Sequence, residues 1–276
     1  MLMKDLVALL LASVASIRAQ AVIASNNYGV PYNGIGAIPA ILAREAHFPM
    51  RRRVLMALLV RYFPDKYRES IYEAMTVVGL FLALLTMNSC YGMNAALLLA
   101  AFLPLTYRFD YWDWIPEVGA AIAATSGRID LVYPWTIAAA LSRETAPIIP
   151  IIWLCYVGDI KTCVYLSAVI AVVTLGVIQW QGTRPFLGGR IQAAGNGHQL
   201  AWWLENVGRT ILMRSDQTST NIITAACVIV CVNLGFPRAL PWLCMLTAGW
   251  LWAVAVETRV FTICLIPVVL WLCGFT

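Results

Sequence analysis

Residues 131–157 read LVYPWTIAAALSRETAPIIPIIWLCYV, and across them the only charges are Arg143 and Glu144. A charge at bilayer depth costs about 2.5–3.5 kcal/mol on insertion scales. A chain carries that cost when the charges face a polar cavity or a partner rather than lipid. The stretch therefore predicts membrane-embedded helix with a buried polar site inside it.

Composition points the same way. The chain has 276 residues, of which 61% are hydrophobic and 12% charged, with a mean hydropathy of +0.76. Soluble domains carry about 25% charged residues. At about 20 residues per span there is room for roughly eight to ten spans and one long loop. The expected fold is all-α: a polytopic transmembrane helical bundle with about 8–10 hydrophobic segments, forming a single integral membrane domain over 1–276.

Working outward, the neighbouring segments are short. Residues 94–107, 115–126 and 131–141 each run about 11–14 residues, less than the roughly 20 needed to cross alone. Such pieces join into bent spans or dip in and return, which irregular backbone survives only where it faces protein or water. Residues 146–157 read as continuing past Arg143-Glu144. Clear spans are expected over 71–88 and 164–180, and 222–234, 240–256 and 260–275 close the bundle. The opening MLMKDLVALLLASVASIRAQA has the lysine, apolar run and Ala19-x-Ala21 ending of a cleavable signal peptide. A retained first helix over about 5–24 is the reading adopted.

Two polar stretches interrupt the apolar pattern. The first, 25–70, opens on SNNYGVPYNGIGAIP, irregular by its Gly, Pro and Asn content. It continues into an amphipathic stretch whose apolar 54–60 is flanked by arginine. An interfacial helix is expected near 50–63. The second polar loop, 182–218, contains GTRPFLGGR and GNGH. Lys and Arg counting puts the first loop in the cytoplasm, whereas a first helix preceded by Lys4 and acting as a signal anchor puts it outside.

Four clusters set charge against apolar background. His47-x-Pro49-x-Arg51-Arg52-Arg53 offers arginine forks for phosphate, or a topology signal with a snorkelling helix. Arg108-x-Asp110-Tyr111-Trp112-Asp113-Trp114-x-x-Glu117 mixes three carboxylates with aromatics. Asp113 and Glu117 share a helix face at i, i+4. These groups suit a general base or a divalent cation, and the aromatics suit a sugar ring or an interfacial belt. Ser142-Arg143-Glu144-Thr145 is the intramembrane pair, whose two charges point about 100° apart on a helix and so need not pair with each other; Glu144, Glu257 and an Asp of the 110–117 junction are all open as partners of Arg143. Glu257-Thr258-Arg259 adds a pair at a segment edge, and Arg184-Pro185 a lone cation.

No phosphate-binding Gly-rich loop, nucleophile elbow or zinc-protease helix appears. The eight cysteines lack CxxC pairs and read as small buried hydrophobes. Two histidines do not build a metal site, and nothing beyond the basic loop suggests nucleic acid.

The PxxRRVL segment at 49–55, the long polar loop, the acidic aromatic junction, SRETA inside a span and ETRVF before the last helix together resemble the bacterial polytopic membrane proteins grouped with GT-C-type glycosyltransferases. The likeness is diffuse and covers most of the chain. It implies a bacterial inner (plasma) membrane enzyme of the cell envelope, with a polyprenyl-phosphate-linked sugar donor and transfer at the outer face. It implies Asp110 or Asp113 as the catalytic base, with Glu45 a weaker candidate, and Arg51, Arg52, Arg143 and Arg259 on the lipid phosphate; Glu144 of the intramembrane pair joins the catalytic carboxylates. His47, Trp112, Glu117, Arg184 and Glu257 would complete the substrate site. The chain departs from the group in its shortness and in a first loop that offers Asn26, Asn27 and Glu45 where an acidic catalytic residue is common. A membrane transporter or flippase with midplane charges, and a non-catalytic subunit of a membrane complex using charge pairs as helix glue, are the competing readings.

Overall fold

The computed structural model describes residues 3–28, 42–43, 54–106, 114–143, 145–181, 218–252 and 262–275, and among these every regular element is helical. In chain order the helices are α1 (Met3–Tyr28), α2 (Leu55–Val60), α3 (Asp65–Tyr91) and α4 (Met93–Phe102), the last extended by a 3-10 turn at Leu103–Leu105. Then follow α5 (Ile115–Thr125), α6 (Ile129–Ser142), α7 (Ile148–Val157), α8 (Ile160–Gln181), α9 (Thr218–Leu234), α10 (Leu240–Trp252) and α11 (Leu265–Leu272). Two of them, α3 and α8, are long and apolar enough to cross a membrane.

The core is built around α5, in which every residue from Ile115 to Ala124 is buried. It packs against α3, α6 and α7. Gly119, Ala120, Ala121, Ala123 and Ala124 give it a thin profile, so neighbouring backbones approach closely. At Gly119 the approach is closest. A Cβ placed there would lie 2.6 Å from both Cε2 and Cε3 of Trp135 on α6. The indole is fixed in turn by donating its N–H to Thr86 Oγ1 of α3 at 3.1 Å.

The helices α3, α5, α7, α9 and α11 each stop at a glycine in the left-handed region: Gly92, Gly127, Gly158, Gly235 and Gly274. That conformation ends a helix without the Cβ penalty other residues meet. Contacts place these stops at one end of the bundle. The Tyr91 and Phe275 rings lie 5.1 Å apart, and Ser126 donates its hydroxyl to Cys90 Sγ at 3.1 Å. Val157 is the neighbour of Gly127, and the Trp242 indole donates to the Tyr156 hydroxyl at 2.9 Å. We call this the glycine end. Helices α4, α6, α8 and α10 start from it and run the other way.

Several sequence expectations change in detail. Residues 146–157 do not continue α6. The chain turns at Arg143–Pro147, and α7 comes back beside α5, bringing Val157 to Gly127. Arg143 is extended (φ −145°, ψ 144°), and Pro147 lacks the N–H that an uninterrupted helix would use. Of the stretch expected as a loop over 25–70, α1 covers the start to Tyr28 and α3 the end from Asp65, and residues 29–41 and 44–53 lie outside the described residues. In place of an interfacial helix near 50–63 stands the six-residue α2, whose Met56, Ala57 and Val60 are buried in protein. It is held there by the Val54 N–H, which donates to the Leu141 carbonyl at 2.8 Å. The loop expected over 182–218 lies outside the described residues except for Thr218, which opens α9.

Candidate functional site

At the end of the bundle opposite the glycines, the start of α5 meets the turn between α6 and α7. Glu117 sits in the first turn of α5, where the helix dipole favours an acid. Arg143 follows the last residue of α6, where the same dipole favours a cation. Local sequence thus puts each charge at the helix end that suits it, and the antiparallel packing of α5 on α6 brings the two together. Arg143 Nε lies 3.5 Å from Glu117 Oε2, with the two side chains 5% and 3% exposed. That spacing exceeds the roughly 2.7–2.9 Å of a tight charge-assisted hydrogen bond. The contact is a buried ion pair with loose geometry.

Hydroxyls lie near it along the chain: Ser142 and Thr145 are close to Arg143 in the turn, and Thr136 lies seven residues back in α6. Among the described residues the buried Oγ of Ser142 and Oγ1 of Thr136 and Thr145 have no hydrogen-bond partner. A buried hydroxyl without a protein partner is an opening for water or ligand. Trp114, 1% exposed, packs just before α5. Beside the turn, a groove of about 420 Å³ runs between α7 and α8. It is lined by Pro147, Pro150, Ser167, Ile170, Ala171, Thr174 and Leu175.

Of the residues singled out from sequence, the structure brings together Glu117 and Arg143. The sequence left the partner of Arg143 open, and the structure gives it an acid of the 110–117 junction. His47, Arg51, Arg52, Asp110, Trp112, Asp113, Glu144, Arg184, Glu257 and Arg259 lie outside the described residues. The arginine run does connect to the site through the chain, because Val54 follows Arg53 and is bonded to Leu141, two residues before Arg143. Thr136 and the groove were missed from sequence. Thr136 was legible from its i, i+7 spacing to Arg143, and the groove from Pro147 and Pro150 on one helix face.

Chemically, a buried guanidinium suits the oxygens of an anion such as phosphate, while the Glu117 carboxylate beside it opposes a second negative charge. Among the described residues no three His, Cys, Asp or Glu side chains are placed to share a metal ion, and the cysteines are free thiols.

Comparisons with protein-family models, with curated proteins and with solved structures return no match.

Proposed function

We propose that this chain is a polytopic integral membrane protein of a bacterial inner membrane that transfers a sugar from a polyprenyl-phosphate-linked donor to a cell-envelope acceptor. The donor phosphate binds at the turn between α6 and α7. The observation that carries this reading is the depth of the Glu117–Arg143 pair. Helix α6 has 14 residues, so at 1.5 Å per residue Arg143 stands about 21 Å from the glycine end. Helix α3 has no charge from Ala74 to Tyr91, and α8 none from Thr162 to Gln181. Those uncharged lengths correspond to about 27–30 Å, the thickness of a hydrocarbon core. Within that band Glu117 and Arg143 stand alone as charges among the described residues of α3 to α11. Ionisable groups at such depth line substrate or ion pathways by default.

Arg143 supplies a permanent cation for the phosphate, with Arg51, Arg52 and Arg259 as further ligands. The groove along α7 and α8 offers an apolar berth for the lipid chain. In the transfer step a carboxylate, Asp110, Asp113 or Glu144, takes the proton of an acceptor hydroxyl. The hydroxyl oxygen forms a bond to the anomeric carbon. The bond from that carbon to the phosphate oxygen breaks, and its electron pair leaves with the polyprenyl phosphate. Holding both reactants in line supplies much of the rate, and the guanidinium stabilises the charge that develops on the leaving phosphate. His47, Trp112, Glu117, Arg184 and Glu257 orient the substrates or the charged groups.

Native mass spectrometry of the protein in mild detergent tests the binding step. A retained polyprenyl phosphate, lost in Arg143→Gln, is expected. Bulk phospholipid alone in a folded sample would remove the donor from this site. Glu144→Gln and Asp113→Asn are expected to fold and lose transfer.

Two observations favour a second reading, a non-catalytic subunit. Glu117 and Arg143 neutralise each other at a helix junction, as helix glue would, and Val164, Tyr165, Val172 and Leu175 leave one side of α8 uncovered. Stable co-purification with a partner, and function that tolerates Arg143→Gln, would favour that reading.

A further inference from the structure

We infer that the end of the bundle carrying Glu117 and Arg143 is seated in the anionic cytoplasmic leaflet, and that the glycine end faces the opposite side of the membrane. The inference rests on the membrane reading above and adds to it the side from which the site is reached.

Because α3, α5, α7, α9 and α11 all end at the glycine end, the connections there are short. They contain Arg128 and Arg238, and Lys161 stands beside them in the first turn of α8. The long connections belong to the other end. Residues 107–113 lead into α5, 182–217 join α8 to α9, 253–261 lead toward α11, and 29–53 lead to Val54 on the end of α6. Of the 19 Lys and Arg residues, Lys4 and Arg18 lie in α1 and three lie at the glycine end; by chain order the other 14 are Arg61, Lys66, Arg68 and Arg143 at the Arg143 end and ten in the segments that connect helix ends there.

At the glycine end Arg128 and Arg238 have side-chain partners, as Arg61, Lys66, Arg68 and Arg143 do at the other. Arg128 holds Asp130 through two hydrogen bonds, at 2.9 and 2.7 Å. The Arg238 guanidinium stacks 5.7 Å from the Tyr156 ring. Lys161 follows Asp159, which caps its backbone N–H at 3.0 Å. The excess of Lys and Arg in connections flanking membrane helices sets orientation, with the basic side in the cytoplasm. The anionic lipids of that leaflet attract the same residues. The count resolves the two opposed cues of the sequence in favour of a cytoplasmic first loop.

The consequence for the site is specific. With Arg143 about 21 Å from the glycine end and a core about 30 Å thick, its ligand is reached from the cytoplasmic leaflet, roughly 10 Å below that surface. Transfer then occurs on the side opposite to the one the glycosyltransferase resemblance implies.

The test uses the full chain with reporters in a bacterial host. Green fluorescent protein, dark when exported, and alkaline phosphatase, inactive when not exported, are each inserted between Gly195 and Asn196. They are also fused after Thr276, next to the glycine end. A second insertion, between Asn33 and Gly34, guards against a variant that fails to fold. Fluorescence at both insertion sites, with phosphatase activity at the C-terminal fusion, is expected. The reversed pattern would overturn the sidedness and leave the membrane reading standing. Fluorescence at all three positions in protein released by carbonate would overturn the membrane reading and the sidedness with it.

Discussion

Gly119→Ala places a methyl group where the structure has an indole. The added Cβ would stand 2.6 Å from two Trp135 ring atoms and closer still to a third. The ring has little freedom to yield, because its N–H is bonded to Thr86, whose own hydroxyl donates to the Leu82 carbonyl at 2.9 Å. Overpacking a tight core costs about 1–3 kcal/mol. Losing the indole hydrogen bond adds about 1 kcal/mol. The expected loss is about 2–4 kcal/mol, which for a chain of this size lowers Tm by roughly 5–15 °C. The assay is thermal unfolding in detergent at one fixed scan rate, since apparent Tm depends on it. Repeating the change in a Trp135→Leu background isolates the cause, because without the indole the methyl has room. Glu117 lies two residues before Gly119, so the same shift moves it against Arg143 and should also weaken ligand retention. An unchanged Tm, or the same drop with and without Trp135, would refute the reasoning.

Three further outcomes are expected. Glu117→Gln and Arg143→Gln each leave a buried charge short of its counter-charge and should cost about 3–5 kcal/mol. The double variant should cost less than their sum in a double-mutant cycle, and strict additivity would dissolve the pair. Gly158→Ala should destabilise by about 1–2 kcal/mol because that residue sits at φ +78° with no neighbour to clash, leaving conformation as the whole cost. Gly176→Ala, in the interior of α8 with open space around it, should stabilise by about 0.5–1 kcal/mol. Equal effects at the two glycines, read by the same melts, would contradict this. Asp159 accepts hydrogen bonds from the Thr162 hydroxyl at 2.6 Å and from two backbone N–H groups at the start of α8. The Thr162 bond is the chief cause holding its carboxyl below the ordinary carboxylate value. A depressed pKa contributes stability above the unfolded pKa and loses it as pH falls through the folded one. Asp159→Ala should therefore melt lower than the parent chain at neutral pH, with the gap closing in acid; a gap that persists in acid would remove the carboxylate from the account.

Hydropathy made most helices legible, because an apolar run and its length survive in a linear reading. The spans expected over 71–88 and 164–180 lie inside α3 and α8. Direction did not survive. From sequence, 131–157 is one run with a charged interruption. In space it is an outbound helix and a returning one, and that reversal rests on the backbone of Arg143 and on Pro147. The partner of Arg143 was illegible for the same reason. Glu117 lies 26 residues earlier and meets Arg143 only because Gly127 folds α6 back along α5. The tightness of that packing was hidden too, since a glycine inside a helix reads as a weak helix former until the Trp135 ring is seen against it. The extent of α2 was misjudged because flanking arginines suggested an interface, whereas docking of Val54 on Leu141 buries the apolar residues against protein.

The glycine end also bears on how such a bundle can vary. The pairs α3–α4, α5–α6, α7–α8 and α9–α10 are each an out-and-back unit closed by a glycine turn, with both free ends on the same side. Loss or duplication of any one pair therefore preserves parity: every helix that remains keeps its direction and every remaining connection its face. Changing the number by a single helix inverts everything downstream. Length variation in proteins built this way should come in twos, and the glycine closing each pair marks where one unit ends and the next can be joined.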